Sequence, residues 1–247
     1  LVETETKKLF DEIEMPLVPV LTAMELEGIN LDVSYLSSLS DDLSKDIETL
    51  EKSIYKTADK EFNLASPRQL GIVLFEDLKL VEKPKKTKTG QYSTSEDVLR
   101  KLDEHQIIQD ILVWRSLIKL QNTYVNALPT QVNSVTNRIH TDYNQAVAAT
   151  GRLSSNNPNL QNIPIRTERG KQVRKAFVPK DENHILVAAD YSQIELRIIA
   201  ALSKDENMIE SFVNGEDIHA ATAAKVFNVP LEEVTREQRS NAKAVNF

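Results

Sequence analysis

The chain has 247 residues, 40% hydrophobic and 27% charged, an ordinary balance for a soluble globular protein with room for one large domain or two to three smaller ones. It has no cysteine, which excludes disulfides and thiolate metal sites and fits a reducing, cytoplasmic setting. No apolar run approaches the ~20 residues of a membrane span, so no membrane partner is expected.

The net charge of -7 argues, as an average, against a nucleic-acid binder, but the charge is segregated. Residues 1–62 hold 15 acidic and 6 basic side chains, whereas residues 152–180 hold seven basic ones against Glu168 alone. Residues 79–101 hold seven basic side chains against three acids. Basic patches on an acidic body suit local phosphate contacts, although solvated surface charge gives the same pattern. The N-terminus, Leu1 to Lys8, has no signal-peptide pattern and no initiating Met, so the chain reads as cut from something longer.

In chain order, residues 3–28 look helical, with Pro16 and Pro19 breaking or kinking the helix and Gly28 ending it. Leu36, Leu39, Leu43, Ile47, Leu50 and Ile54 recur at three- and four-residue steps and predict a long amphipathic helix over 34–61. Ile107, Ile111, Trp114, Ile118 and Val125 predict a second over about 105–127, and the two pack most simply as an antiparallel pair. Between them lies a polar tip. Ser66-Pro67 opens a short helix there, and Ser93-Thr94-Ser95-Glu96 reads as a capping box opening another. Lys83, Lys85, Lys86 and Lys88 precede the second, whose N-terminus suits phosphate, although ordinary capped helices beside a lysine-rich loop look the same.

Strands are predicted over Arg138–Tyr143, Lys175–Pro179 and Ile185–Ala189, the last continuously apolar and so buried on both faces. Helices follow in 191–247. Ile194, Ile198 and Leu202 give one stripe, Asp217–Phe227 a helix closed by Asn228 and Pro230, and Thr235-Arg236-Glu237-Gln238 a capping box.

Three stretches carry chemistry. In Val187-Ala188-Ala189-Asp190-Tyr191-Ser192-Gln193-Ile194-Glu195-Leu196-Arg197, one carboxylate stands where a strand hands over to a helix. Asp190 and an adjacent backbone carbonyl are a fair oxygen pair for Mg²⁺, and an Asp capping a helix is the plainer alternative. Arg239, Lys243 and Phe247 share a helix face at i, i+4, i+8, so two cations could track a triphosphate and an aromatic ring could lie against a sugar or base; a solvated basic stripe is the alternative. The loop Ala149–Pro164 surrounds Arg152 with amides that can donate to the minor-groove acceptors shared by all base pairs, or else is an asparagine-rich turn region.

Taken in order, Thr-Gly-Arg-Leu-Ser-Ser, Asp-Tyr-Ser-Gln-Ile-Glu-Leu-Arg and Arg-x-x-x-Lys-x-x-Asn-Phe resemble the family A DNA polymerases. The likeness is close through residues 140–247. It continues more weakly upstream through Glu14–Leu21 and Phe62–Leu70, and so covers essentially the whole chain. The resemblance implies a multidomain α+β fold: a remnant of an upstream exonuclease-like domain (1–19), a helical thumb (20–130), the N-terminal part of an antiparallel palm sheet (131–202) and the truncated start of helical fingers (203–247). It implies a template-directed nucleotidyl transfer on primer-template DNA with deoxynucleoside triphosphates and Mg²⁺.

By resemblance, Asp190 is one of two catalytic metal carboxylates, with the Tyr191 carbonyl helping. Gln193, Glu195, His219, Arg239, Lys243 and Phe247 meet the nucleotide: Glu195 crowds the sugar 2′ position, Lys243 protonates the leaving pyrophosphate and Phe247 lies beside the sugar. Arg152, Asn159, Gln161 and Asn162 line the duplex near the primer end, and Lys86, Ser66, Arg115 and Lys119 grip DNA from the thumb. The family's second metal carboxylate has no counterpart in residues 1–247, which implies a fragment inactive by itself. The last helix, cut in mid-stripe without its packing partners, is expected to leave residues 235–247 poorly ordered. A duplex-binding module with a vestigial active site is the rival reading, but it would need neither Asp190 nor Glu195. A single-chain metal phosphohydrolase is weaker still, for want of a His/Asp ligand cluster.

Overall fold

The computed structural model describes residue 1, residues 3–165 and residues 167–243, apart from the side chain of Asn207. The chain divides into two compact units, Leu1–Leu186 and Val187–Phe247.

The first unit is built on two long helices, α2 (Val33–Ala58) and α5 (Gln106–Leu120), the latter running on through a π-helical turn, Gln121–Val125. Asp32 caps α2 by accepting from the Tyr35 N–H at 2.8 Å, and Asp59 closes it in the left-handed conformation. The two helices run antiparallel, and side-chain bonds fix their register. Ser53 Oγ donates to Asp110 Oδ2 (2.7 Å), Trp114 Nε1 to Glu51 Oε1 (3.0 Å), and Gln121 Nε2 to Ser44 Oγ (2.8 Å). Inside this polar border Leu36, Leu43, Ile54, Ile108 and Ile111 are fully buried, together with Leu70, Leu74 and Leu99 from the tip. Leu43 has no exposed surface, so Leu43→Ala should destabilise this unit by roughly 2–5 kcal/mol. Urea denaturation followed by circular dichroism reads that loss, and an unchanged midpoint would contradict the packing.

The tip contains α3 (Pro67–Ile72), capped by Ser66 as expected and continued by a π-helical turn, Val73–Asp77, and α4 (Glu96–Leu99). The expected capping box at Ser93–Glu96 does not form. Ser95 is the N-cap, which puts Glu96 at the first helical position and leaves Val98 where a returning carboxylate would be needed. Glu96 instead pairs with Arg100 at 2.6 Å.

The prolines near the N-terminus do not break the helix. Lys7–Leu9, a π-helical stretch Phe10–Glu14 and α1 (Met15–Glu27) run on continuously. Pro16 follows closely on the π-helical turn and Pro19 lies inside α1, and the chain keeps helical geometry through both. Gly28 ends α1 with φ +63°, where a Cβ would stand 2.5 Å from the Ile139 carbonyl oxygen, so only glycine fits.

After Gly28, β1 (Ile29–Leu31) is the central strand of a small antiparallel sheet between β2 (Arg138–Ile139) and a later strand, Phe177–Val178. Asn30 donates to the carbonyls of Pro179 (3.2 Å) and Lys180 (3.0 Å) and ties the sheet edge down. The predicted strand over 138–143 is split. Its second half, β3 (Asp142–Asn144), pairs in another sheet with β4 (Ser154–Asn156). The break falls at His140 and Thr141. His140 Nδ1 meets the Glu25 carbonyl at 2.7 Å, and Thr141 Oγ1 donates to the carbonyls of Asn156 and Pro158. Between β4 and the strand Phe177–Val178, hereafter β5, lies α6 (Glu168–Arg174), capped by Thr167.

The buried strand expected over Ile185–Ala189 is absent. Ile185 and Val187 are 81% and 80% exposed, and no strand forms there. An apolar run becomes a strand only where a neighbouring strand satisfies its backbone, and among the described residues no strand pairs with this run.

The second unit is helical: α7 (Ile194–Ser203), α8 (Glu206–Val213), α9 (Ile218–Phe227) and α10 (Arg236–Ala242). Asn228 closes α9 in the left-handed conformation, and the capping box at Thr235 forms with both of its bonds. On α7 the buried residues are Leu196 and Ala200, while the stripe Ile194, Ile198 and Leu202 is exposed. The α+β class expected from the sequence is the class observed. No helix among the described residues is long and apolar enough to cross a membrane.

Candidate functional site

In the first unit, Arg115, Lys119, Gln161 and Asn162 meet in one cleft of about 690 Å³, together with Arg100, which the sequence reading did not single out. Arg115 reaches this position from the middle of α5. Its guanidinium donates to the carbonyl of Thr94 and, at 3.1 Å, to the Thr94 hydroxyl, so it braces the entry to α4. Half-burial pulls the Arg115 pKa down and the Glu96 carboxylate partly restores it; a guanidinium stays charged under either influence. Tyr124 donates its hydroxyl to the Asn162 carbonyl at 2.5 Å and anchors the amide-rich loop to the long helical pair. Periodicity marked α5 as a packing helix and gave no sign of this tether.

Within that loop, Gln161 Nε2 donates to the Leu153 carbonyl at 2.9 Å and Asn159 Oδ1 accepts from the Gln161 N–H at 3.0 Å. Both amides therefore shape the loop, and of the two only Gln161 also lines the cleft. Arg152 stands exposed on the same loop. Arg115 and Lys119 also line a neighbouring cleft of about 590 Å³ that includes Pro67 and Tyr92. Lys86 Nζ lies 5.0 Å from the centroid of the Tyr92 ring, and the Ser66 hydroxyl accepts from the Gln69 N–H at 3.4 Å as a helix cap.

In the second unit, Asp190 and Tyr191 are exposed ahead of α7. The N-cap of α7 is Gln193, three residues later, so Asp190 is not a helix cap. Gln193 has φ +54°, the left-handed region that a non-glycine residue rarely occupies, and its Oε1 is buried without a hydrogen-bond partner among the described residues. Glu195 follows in the first turn of α7 on an exposed face. Arg197 steadies this turn: its Nε donates to the Ser192 carbonyl at 2.9 Å while its guanidinium lies 4.4 Å from the Phe212 ring on α8.

His219 and Arg239, twenty positions apart, are brought together by Asp217, which the sequence reading saw only as a helix start. Asp217 Oδ1 accepts from the N–H groups of His219 (3.0 Å) and Ala220 (3.1 Å), and Oδ2 accepts from Arg239 Nε at 2.6 Å. Burial opposes charge on Asp217, but the Arg239 bond and the two backbone donors outweigh it and hold the carboxyl below the usual range. His219 is buried, and burial first, then Arg239 and Lys243, push its imidazole below the ordinary value against the pull of Asp217. Lys243 is exposed one turn beyond Arg239. Phe247 lies outside the described residues.

As a metal ligand set, Asp190 and the Tyr191 carbonyl supply two hard oxygens. Among the described residues no group of three or more His, Cys, Asp or Glu gathers as a metal site.

The model of DNA polymerase family A matches residues 33–247. The chain belongs to DNA polymerase family A. It is 50% identical over 241 residues to DNA polymerase I of Bacillus subtilis, covering 97% of this chain and 27% of that one. Against DNA polymerase I of Pseudomonas aeruginosa it is 51% identical over 242 residues, covering 97% and 26%. A solved structure described as the POL domain of Pol1 from M. smegmatis in complex with DNA primer-template and dNTP matches with a TM-score of 0.87 at 44% identity, over 100% of this chain and 43% of that one. The family A chain here thus spans little more than a quarter of the length of these curated relatives.

Proposed function

We propose that this chain is the portion of a cytoplasmic, template-directed DNA polymerase that grips the primer-template and carries half of the nucleotide site. The observation that supports this most is the likeness, over the whole chain, to a polymerase domain described with primer-template and dNTP. In the reaction the primer 3′-hydroxyl attacks the α-phosphate of a deoxynucleoside triphosphate, the bond to the β-phosphate bridging oxygen breaks, and pyrophosphate leaves. Asp190 and the Tyr191 carbonyl would hold Mg²⁺, which when bound offsets the negative charge that builds on the phosphate oxygens. His219 and Arg239 bind the triphosphate. Burial, with Arg239 and Lys243 nearby, lowers the His219 pKa and so favours its neutral, hydrogen-bonding form. Lys243 Nζ delivers a proton to the leaving pyrophosphate, Glu195 and Phe247 bound the sugar, and Gln193 sets the turn between Asp190 and Glu195.

With one metal carboxylate, residues 1–247 by themselves should not extend a primer. The test is incubation with primer-template, four deoxynucleotides and Mg²⁺, with products resolved by length. Template-dependent extension well above a protein-free control would refute the reading.

The cleft of Arg100, Arg115, Lys119, Gln161 and Asn162 supports duplex binding whether or not catalysis occurs, and this is the second reading. Such binding draws on counterion release, so log affinity should fall linearly with log salt. Fluorescence anisotropy between ~50 and ~200 mM salt reads the slope, and a flat line contradicts it. Lys86→Ala should weaken all duplexes alike, because a phosphate contact carries no sequence information.

A further inference from the structure

Arg239 binds a triphosphate well only if its guanidinium is already aimed, because a free arginine side chain loses rotamer entropy when it is fixed. The structure shows what aims it. One carboxylate, Asp217, uses both oxygens: Oδ1 caps α9 through the N–H groups of His219 and Ala220, and Oδ2 takes the Nε–H of Arg239 on α10. Bonding through Nε occupies one edge of the planar guanidinium fork and leaves the Nη edge to face phosphate oxygens. The same carboxylate fixes the first turn of the helix that carries His219. The Arg239 side chain and the backbone turn that carries His219 are therefore held by a single acidic anchor, and the Asp217–Arg239 pair is only about a third exposed, which limits screening by water.

We propose that Asp217 is a positioning residue for the triphosphate: it sets the relative placement of His219 and Arg239 without itself touching the nucleotide. This rests on the reading of Arg239 as a triphosphate contact. The opposing effect is electrostatic, since a carboxylate beside the site repels phosphate. Its charge is largely neutralised by the Arg239 bond and the two backbone donors, so orientation prevails over repulsion.

The test separates the two duties of the carboxylate. Asn and Ser both cap helices well, but with one acceptor oxygen committed to the cap neither can also accept from Arg239. The 247-residue chain and its Asp217→Asn, Asp217→Ser and Arg239→Ala variants are titrated with inorganic tripolyphosphate by calorimetry. Thermal denaturation and the arginine Nε–Hε region of the NMR spectrum are recorded alongside. Expected are near-unchanged melting of the two capping variants, a shift of the Nε–Hε resonance that Arg239→Ala deletes, and about tenfold weaker tripolyphosphate binding in all three variants. If Arg239→Ala weakens binding while both Asp217 variants bind as the parent does or more tightly, the positioning role is overturned and the triphosphate reading stands. If the parent does not bind, or Arg239→Ala binds equally well, the triphosphate reading falls and the inference with it. Loss of folding in both Asp217 variants overturns the separation of cap from anchor.

Discussion

Asp190→Ala, made in the chain extended by the remainder of its polymerase, should lower single-nucleotide incorporation by on the order of 10³-fold or more, as loss of a principal transition-state stabiliser does. Primer-template affinity and melting temperature should barely move. The structure separates these outcomes. Asp190 stands exposed three residues before the α7 cap, so its side chain supports neither the helix nor a buried network, and its removal has no folding penalty of the usual kinds. The cleft that holds Arg115, Lys119 and Asn162 lies in the other unit, so a carboxylate lost from the second leaves the proposed duplex contacts as they are. On the proposed reading, what would be lost is the carboxylate that holds Mg²⁺, and with it the placement of charge opposite the reacting phosphate. Incorporation rates at saturating nucleotide, measured beside anisotropy with the same primer-template, give the answer. Near-normal turnover would show that Asp190 is a bystander on an exposed turn.

In the same extended protein, Glu195→Ala should admit ribonucleotides. Glu195 sits in the first turn of α7, five residues after Asp190, so a nucleotide whose phosphates lie at Asp190 has its sugar near the start of this helix. A carboxylate there fills the space a 2′-hydroxyl would need, and a buried hydroxyl without a partner costs roughly 1–3 kcal/mol on top of any clash. Trimming the side chain should therefore raise kcat/KM for the ribonucleotide by at least about tenfold relative to the deoxynucleotide. The measurement is kcat/KM for one matched deoxy and ribo pair in parent and variant. An unchanged ratio means that the sugar is policed by another residue.

The two long helices were legible because their apolar residues repeat on one stripe, and burial of a stripe requires a partner. Leu36, Leu39, Leu43, Ile47 and Ile54 are buried as their spacing demands. Caps were legible at Ser66 and Thr235, where a short oxygen-bearing side chain precedes a helix-forming run. The cap at Ser95 was misjudged by two positions, since Ser93, Thr94 and Ser95 are chemically alike and only the backbone decides which one turns inward. The run Ile185–Ala189 was misjudged because apolar content states a wish for burial and says nothing about whether a strand lies alongside.

Family, α+β class, the helical pair and the order of the three motif stretches follow from the sequence by itself, because each is carried by residues close together in the chain. Tertiary structure alone decided that Tyr124 holds the Asn162 loop, that Arg115 braces Thr94, and that one carboxylate at Asp217 joins His219 to Arg239. These are bonds between residues 21 to 38 positions apart, or between a cap and a side chain arriving from another helix. Helical and strand periods describe only neighbours within a few residues, so which distant donor reaches a given oxygen is set by how the packed helices place them.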